Sequence, residues 1–104
     1  MKEHRVLKRY DLELPMLIKG VDAKDNLFEE ATKSINISSG GAYFLIINRV
    51  KKENRLQAII SLPRKIRNQV DMEGTVVRVE NGSNGSNQKK GIALCFNPNK
   101  VLEI

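Results

Sequence analysis

From Tyr10 onward apolar side chains fall on every second position: Tyr10, Leu12, Leu14, Met16 and Ile18. A period of two predicts a strand with one face buried. Pro15 lies on the opposite parity and has no N–H to give to a ladder, which argues for an edge position or a distortion. Gly20 to Asn26 is polar and predicts a turn. Leu27 to Ile37 alternates imperfectly, with Leu27, Ala31, Ile35 and Ile37 on one parity and Glu30, Thr32, Ser34 and Asn36 on the other. It predicts a second strand whose end delivers Asn36 and Ser38 to one face. Gly41 to Ile47 is apolar on both parities, as in a central strand. Beyond a charged connector, Asn48 to Asn54, Leu56, Ala58, Ile60 and Leu62 alternate with polar residues and predict a fourth strand, closed by Pro63. Arg64 to Asn68 is a basic connector. Val70, Met72 and Val76 share a parity, whereas Val77 and Val79 take the other, which predicts a β-bulge beside Gly74. Asn81 to Asn87 repeats Asn-Gly steps and predicts a flexible hairpin loop. Ile92, Leu94 and Phe96 mark a sixth strand, and Asn97-Pro98 supplies the N-cap and first residue of a short C-terminal helix.

Six short strands without a long helix among them predict an all-β protein, a small six-stranded antiparallel barrel whose closure removes exposed edges. At 104 residues the chain reads as one domain. A basic arm, Met1 to Arg9, leads into a barrel over residues 10–96, and residues 97–104 begin the helix. No stretch approaches the roughly 20 apolar residues of a membrane span. The charged start, Met1-Lys2-Glu3-His4-Arg5, is not that of a signal peptide. Cys95 is the single cysteine, so no disulfide framework exists and a cytoplasmic location is expected. Lys and Arg number 18 against 12 Asp and Glu, a net charge of +6, which favours phosphorylated or polyanionic partners. Aromatic residues are few, and most of Tyr10, Phe28, Tyr43, Phe44 and Phe96 are spaced as core residues rather than as a stacking platform for single strands.

The chemistry concentrates in Asn36-Ile37-Ser38-Ser39-Gly40-Gly41, between the second and third strands. The amide of Asn36 offers a donor and an acceptor to a base edge. Ser38 can donate to a phosphate oxygen, and the glycines let the backbone approach a ligand because no Cβ intervenes. The same composition also makes a tight turn. Other candidates have less behind them. His4 has no metal-ligand neighbours and reads as an exposed arm residue. Cys95 lacks a partner base in the sequence. Glu29-Glu30 reads as a solvated face rather than an acid–base pair. There is no Walker-type phosphate loop and no metal-ligand spacing. An enzyme is therefore the least supported class.

Arg5-Val6-Leu7-Lys8-Arg9 followed by Asn36-Ile37-Ser38-Ser39-Gly40-Gly41 resembles the signature of the PilZ domain family. That signature is Arg-x-x-x-Arg and then Asp/Asn-x-Ser-x-x-Gly on a six-stranded barrel. Arg5, Arg9, Asn36, Ser38 and Gly41 occupy its positions, and the likeness extends over roughly Arg5 to Phe96. The resemblance implies a non-enzymatic receptor for the bacterial second messenger cyclic di-GMP, with that dinucleotide as ligand and no cofactor. Its ligand residues would be Arg5, Arg9, Asn36, Ser38, Gly40 and Gly41, with Lys8 and Arg78 as auxiliaries. The residue types suit the ligand: a guanidinium lies bidentate on guanine O6 and N7, bridges a phosphate, or stacks on the purine. A mobile arm that closes over the ligand would be the switch, read by a downstream protein partner. Two alternatives stand beside this one: a basic barrel that binds nucleic acid, and a PilZ-like docking domain without a ligand.

Overall fold

The computed structural model describes residues 11–63, 69–81 and 89–97. The arm with Arg5, Lys8 and Arg9, the 64–68 connector, the Asn-Gly loop and the expected C-terminal helix lie outside the described residues. Six strands follow in order: β1 (Pro15–Val21), β2 (Leu27–Ser38), β3 (Gly41–Ile46), β4 (Arg55–Ser61), β5 (Gln69–Glu80) and β6 (Lys90–Phe96). All neighbours are antiparallel, and the order β1-β2-β3-β6-β5-β4 closes on itself through the β1–β4 pair. The six-stranded antiparallel barrel expected from the alternation is the observed fold, and no helix occurs among the described residues.

The barrel interior is filled by the period-two residues. Met16 and Ile18 of β1, Ala42, Phe44 and Ile46 of β3, and Leu56, Ala58 and Ile60 of β4 are buried, as are Val76 of β5 and Ile92, Leu94 and Phe96 of β6. Paired residues lie on the same face, so Met16 opposite Ile60 and Phe44 opposite Ile92 stack inward.

The strand boundaries correct the sequence reading in several places. The first strand starts at Pro15 rather than at Tyr10; Leu14 is half-buried and Leu12 is exposed. Pro15 is not on an edge, because β1 has β2 and β4 on its two sides. It is tolerated as the first residue of the strand, where a missing N–H costs least. Gly20 belongs to β1, not to the turn, and packs against Leu56, whose side chain a Cβ would strike. The turn itself is narrower and is held by the Asp22 carboxylate, which accepts from the Lys24 and Asn26 amides at 2.8 and 2.9 Å. Asp25 takes the left-handed conformation there, φ 68°.

Two long strands turn the corners of the barrel, and each carries a bulge there. Strand β2 pairs with β1 through Leu27–Lys33 and with β3 from Ser34 onward. Its register slips between Ser34 and Asn36, leaving Ile35 as the extra residue. Before the slip the polar parity faces inward. Ser34 is 1% exposed, and Thr32 Oγ1 donates to the Leu45 carbonyl at 2.6 Å. Glu30 is no solvated face either. Its carboxylate accepts from Ile47 N at 2.7 Å and from Asn48 N and Nδ2 at 3.0 and 2.8 Å. These side chains serve backbone groups of a strand that has splayed away. That explains why Leu27, on the other parity, is 85% exposed. Strand β5 pairs with β4 up to Thr75 and with β6 from Gly74. The bulge expected beside Gly74 is present three residues further on, at Val77, between Val76 and Arg78. Gly74 marks the crossing point instead: a Cβ there would press on the Leu94 side chain and the Cys95 carbonyl.

Candidate functional site

The bulge at Ile35 decides where the motif points. With unbroken alternation Ser34, Asn36 and Ser38 would share a face. The extra residue instead leaves Ser34 inside, turns Ile37 inward opposite Ala42, and places Asn36 and Ser38 on the outer wall opposite Tyr43 and Gly41. The expectation that the end of β2 presents Asn36 and Ser38 together is met.

The pairings continue this face across four strands. Asn36 lies opposite Tyr43, Tyr43 opposite Ala93, and Ala93 opposite Arg78. Ser38 lies opposite Gly41, Gly41 opposite Cys95, and Cys95 opposite Thr75. Two parallel rows therefore cross the outer wall. With strands about 4.8 Å apart, each row spans roughly 14 Å. Tyr43 and Ala93 stand between the ends of the first row, and Gly41 and Cys95 between those of the second, so three small side chains lie beside the Tyr43 ring. The ends carry Asn36 and Ser38 on one side and Arg78 and Thr75 on the other.

The turn at the motif is built from its own residues. Ser38 Oγ accepts from the Gly40 amide at 3.1 Å, which leaves its hydroxyl proton available to an acceptor outside the turn. The Gly40 carbonyl accepts from Phe96 N at 2.8 Å, docking the corner onto β6. Gly41 has an ordinary negative φ. Its requirement is steric: a Cβ would collide with the Leu94 carbonyl, a backbone group that cannot swing away. The close approach read from the glycines is thus, for Gly41, an approach to β6.

Arg78, named in the sequence as an auxiliary, stands on this wall because the Val77 bulge turns it outward while Val79 faces in opposite Ile92. Its Nε lies 2.9 Å from Glu80 Oε2, and the Tyr43 hydroxyl donates to Glu80 Oε1 at 2.7 Å. The Tyr43 ring covers Gly91, where a Cβ would run into the phenol. The hydrogen bond to Glu80, partial burial and the carboxylate's charge hold the Tyr43 pKa above its ordinary value, opposed by Arg78. The sequence reading gives neither Tyr43 nor Glu80 a place in the site; it counts Tyr43 among five aromatics of which most are spaced as core residues. The available signal was its place one residue out of phase with Ala42 and Phe44. Cys95 is exposed on the same wall. Arg5, Arg9 and Lys8 are not among the described residues, so the structure brings together Asn36, Ser38, Gly40, Gly41 and Arg78 only.

The opposite flank offers a different surface. A shallow cavity of about 520 Å³ on β1, β4 and β5 is lined by Lys19, Leu27, Arg55, Gln57, Asp71 and Glu73. Its cations already face carboxylates, Lys19 with Glu29 at 3.6 Å and Arg55 with Glu73 at 3.9 Å, and Gln57 Nε2 is taken up by Asp71. A mixed, internally paired surface is poorly suited to a dianion. Among the described residues no helix is long and apolar enough to cross a membrane.

Comparison with known proteins agrees with this geometry. The PilZ domain family model matches residues 2–103. No curated protein matches the chain. Among solved structures, the inhibitor of motility MotI/DgrA of Bacillus subtilis superposes with a TM-score of 0.71 at 25% identity, covering 92% of this chain and 44% of that one. The MrkH–c-di-GMP complex of K. pneumonia gives 0.64 at 16% identity, covering 92% and 45%. The PilZ domain of Escherichia coli YcgR with c-di-GMP gives 0.59 at 13% identity, covering 90% and 78%. The chain thus spans less than half the length of the first two. The family is one of effector modules that bind c-di-GMP, not of enzymes. On the match over nearly its whole length, and on a closed six-stranded barrel carrying both signature motifs in order, this chain belongs to the PilZ domain family.

Proposed function

We infer that the protein is a receptor for cyclic di-GMP whose ligand lies on the outer wall of β2, β3, β6 and β5. The observation that carries this reading is the pair of adjacent rows, with Asn36 and Ser38 turned outward by the Ile35 bulge and Asn36 in line with Arg78. Asn36 reads a guanine edge, Ser38 donates to a phosphodiester oxygen, and Gly41, Ala93 and Cys95, beside the Tyr43 ring, leave a floor on which a purine can lie flat. Arg5 and Arg9 supply guanidinium groups that grip guanine or phosphate, chemistry that Lys would do poorly. Arg78, oriented by Glu80, adds a cation at the far end of the row. Lys8 borders the arginines and contributes charge. Gly40 and Gly41 hold the corner against β6. The domain runs from the arm through the barrel, and the bound arm forms a new surface that a downstream protein reads in the cytoplasm.

Calorimetric titration with cyclic di-GMP, with cyclic di-AMP and GTP as controls, tests the reading at two salt concentrations. Guanine-selective, saturable binding with a shallow salt dependence is expected. Binding that is indifferent to the base and collapses with salt would instead identify a nucleic-acid barrel.

A further inference from the structure

Ser34 is the one buried polar residue among those described. It sits at the corner where β2 leaves β1 for β3, directly before the Ile35 bulge. Its hydroxyl accepts from the Leu14 amide at 2.9 Å and donates to the Leu12 carbonyl. Its own amide donates to the Leu14 carbonyl at 3.0 Å. In a regular antiparallel pair the Leu14 amide would bond to the Ser34 carbonyl; here the side chain takes that role and catches Leu12 as well. A hydroxyl has one proton and two lone pairs, so one small group satisfies two backbone groups that precede the first strand.

The position in the chain gives these bonds their meaning. Leu12 follows Arg9 by three residues, and Asn36 follows Ser34 by two. The root of the arginine arm and the strand that carries the motif are therefore fastened together at a single residue, through its hydroxyl and its amide. We propose that Ser34 is a positioning residue of the cyclic di-GMP site: it fixes the arm root to the motif corner, so that Arg5 and Arg9 reach the same ligand that Asn36 and Ser38 hold. The inference rests on the receptor reading above. Without the hydroxyl only the backbone bond from Ser34 to the Leu14 carbonyl would tie the segment before β1 to β2 at this corner, and ordering the arginine contacts would cost more for each ligand bound.

Three variants separate anchoring from packing. Ser34→Ala removes the hydroxyl, while Ser34→Thr and Ser34→Val share one shape and differ only in carrying or lacking it. Hydrogen exchange in the free protein should show the Leu14 amide protected in the parent and in Ser34→Thr. That amide should exchange at least about tenfold faster in Ser34→Ala and Ser34→Val, with Phe44 and Ile92 still protected. Cyclic di-GMP affinity should fall about tenfold in Ser34→Ala and Ser34→Val relative to parent and Ser34→Thr respectively. A mutant cycle with Arg9→Ala should be non-additive, the arginine counting for less once the anchor is gone. Parental affinity in Ser34→Ala, or an Arg9→Ala loss of the same size in both backgrounds, would overturn the proposal even if the variant melts earlier. A parent that binds no cyclic di-GMP would contradict the receptor reading and the ligand role of Ser34 with it; the Leu14 exchange would then still decide whether the arm root is anchored.

Discussion

Gly41 and Tyr43 show how one side chain on β3 can be tied to a fold and its neighbour to a surface. Gly41 faces the Leu94 carbonyl with no room for a Cβ. Gly41→Ala should therefore cost about 1–3 kcal/mol through forced backbone displacement. For a domain of this size that lowers Tm by several degrees, roughly 4–8 °C per kcal/mol. Unchanged thermal stability would show that the corner yields more easily than the packing implies. Tyr43 makes a prediction about pH. Its pKa is raised because the neutral phenol donates to Glu80 and because ionisation would place a second negative charge beside that carboxylate. The folded value exceeds the unfolded one, so the stabilisation is full below about pH 10, the ordinary tyrosine value, and is lost as pH rises through the folded pKa. Ultraviolet titration of tyrosinate on a Tyr10→Phe background should place Tyr43 above the ordinary value, and Glu80→Gln should bring it down. No movement in Glu80→Gln would mean that the hydrogen bond is not the cause.

The strands were legible to very different degrees, and the bulges explain the difference. Strands β4 and β6 alternate in the sequence and β3 is apolar on both parities, and the readings of all three agree with the structure to within a residue or so at either end. Strand β2 could not be read so simply. Its inward parity before the corner is polar because Glu30 and Thr32 bond to the departing β3 backbone, a long-range arrangement that local periodicity does not encode. The parity switch in β5 was visible, but its position was not. The sequence points to a bulge beside Gly74, whereas the slip falls at Val77 and Gly74 serves the strand crossing. The motif residues themselves were readable by type and spacing. Arg78 was readable as an auxiliary, but the places of Tyr43 and Glu80 on the shared wall were not, because they depend on strand order. The β2 bulge can be tested by stability alone. Ile35 and Ile37 are two apart, yet Ile35 is 41% exposed and Ile37 packs against the core. Ile37→Ala should cost about 2 kcal/mol or more, and Ile35→Ala within about 0.5 kcal/mol, as read from denaturation midpoints. Equal losses would contradict the bulge.

Taken as a whole, the molecule is a closed barrel that leaves no free sheet edge among its strands and places its polar signature on an outer wall. Such a wall is not an enclosed cavity. On the receptor reading proposed above, affinity would depend on what the arm adds, and stability would be separate from binding. Arg5→Ala and Arg9→Ala should each weaken cyclic di-GMP binding by about 1–3 kcal/mol, the worth of one good bidentate contact, with Tm little changed, as expected of the basic arm read from the sequence. Arg78→Ala should weaken binding less, since Glu80 already engages its Nε. The most direct test of the whole account is calorimetric titration of the parent with cyclic di-GMP against cyclic di-AMP. A cyclic di-GMP receptor should give saturable heat with the guanine dinucleotide alone, and a stoichiometry that reports whether one ligand or a stacked pair covers the wall. Absence of heat, accompanied by no shift in melting temperature, would contradict the receptor reading and leave a PilZ barrel that works without this ligand.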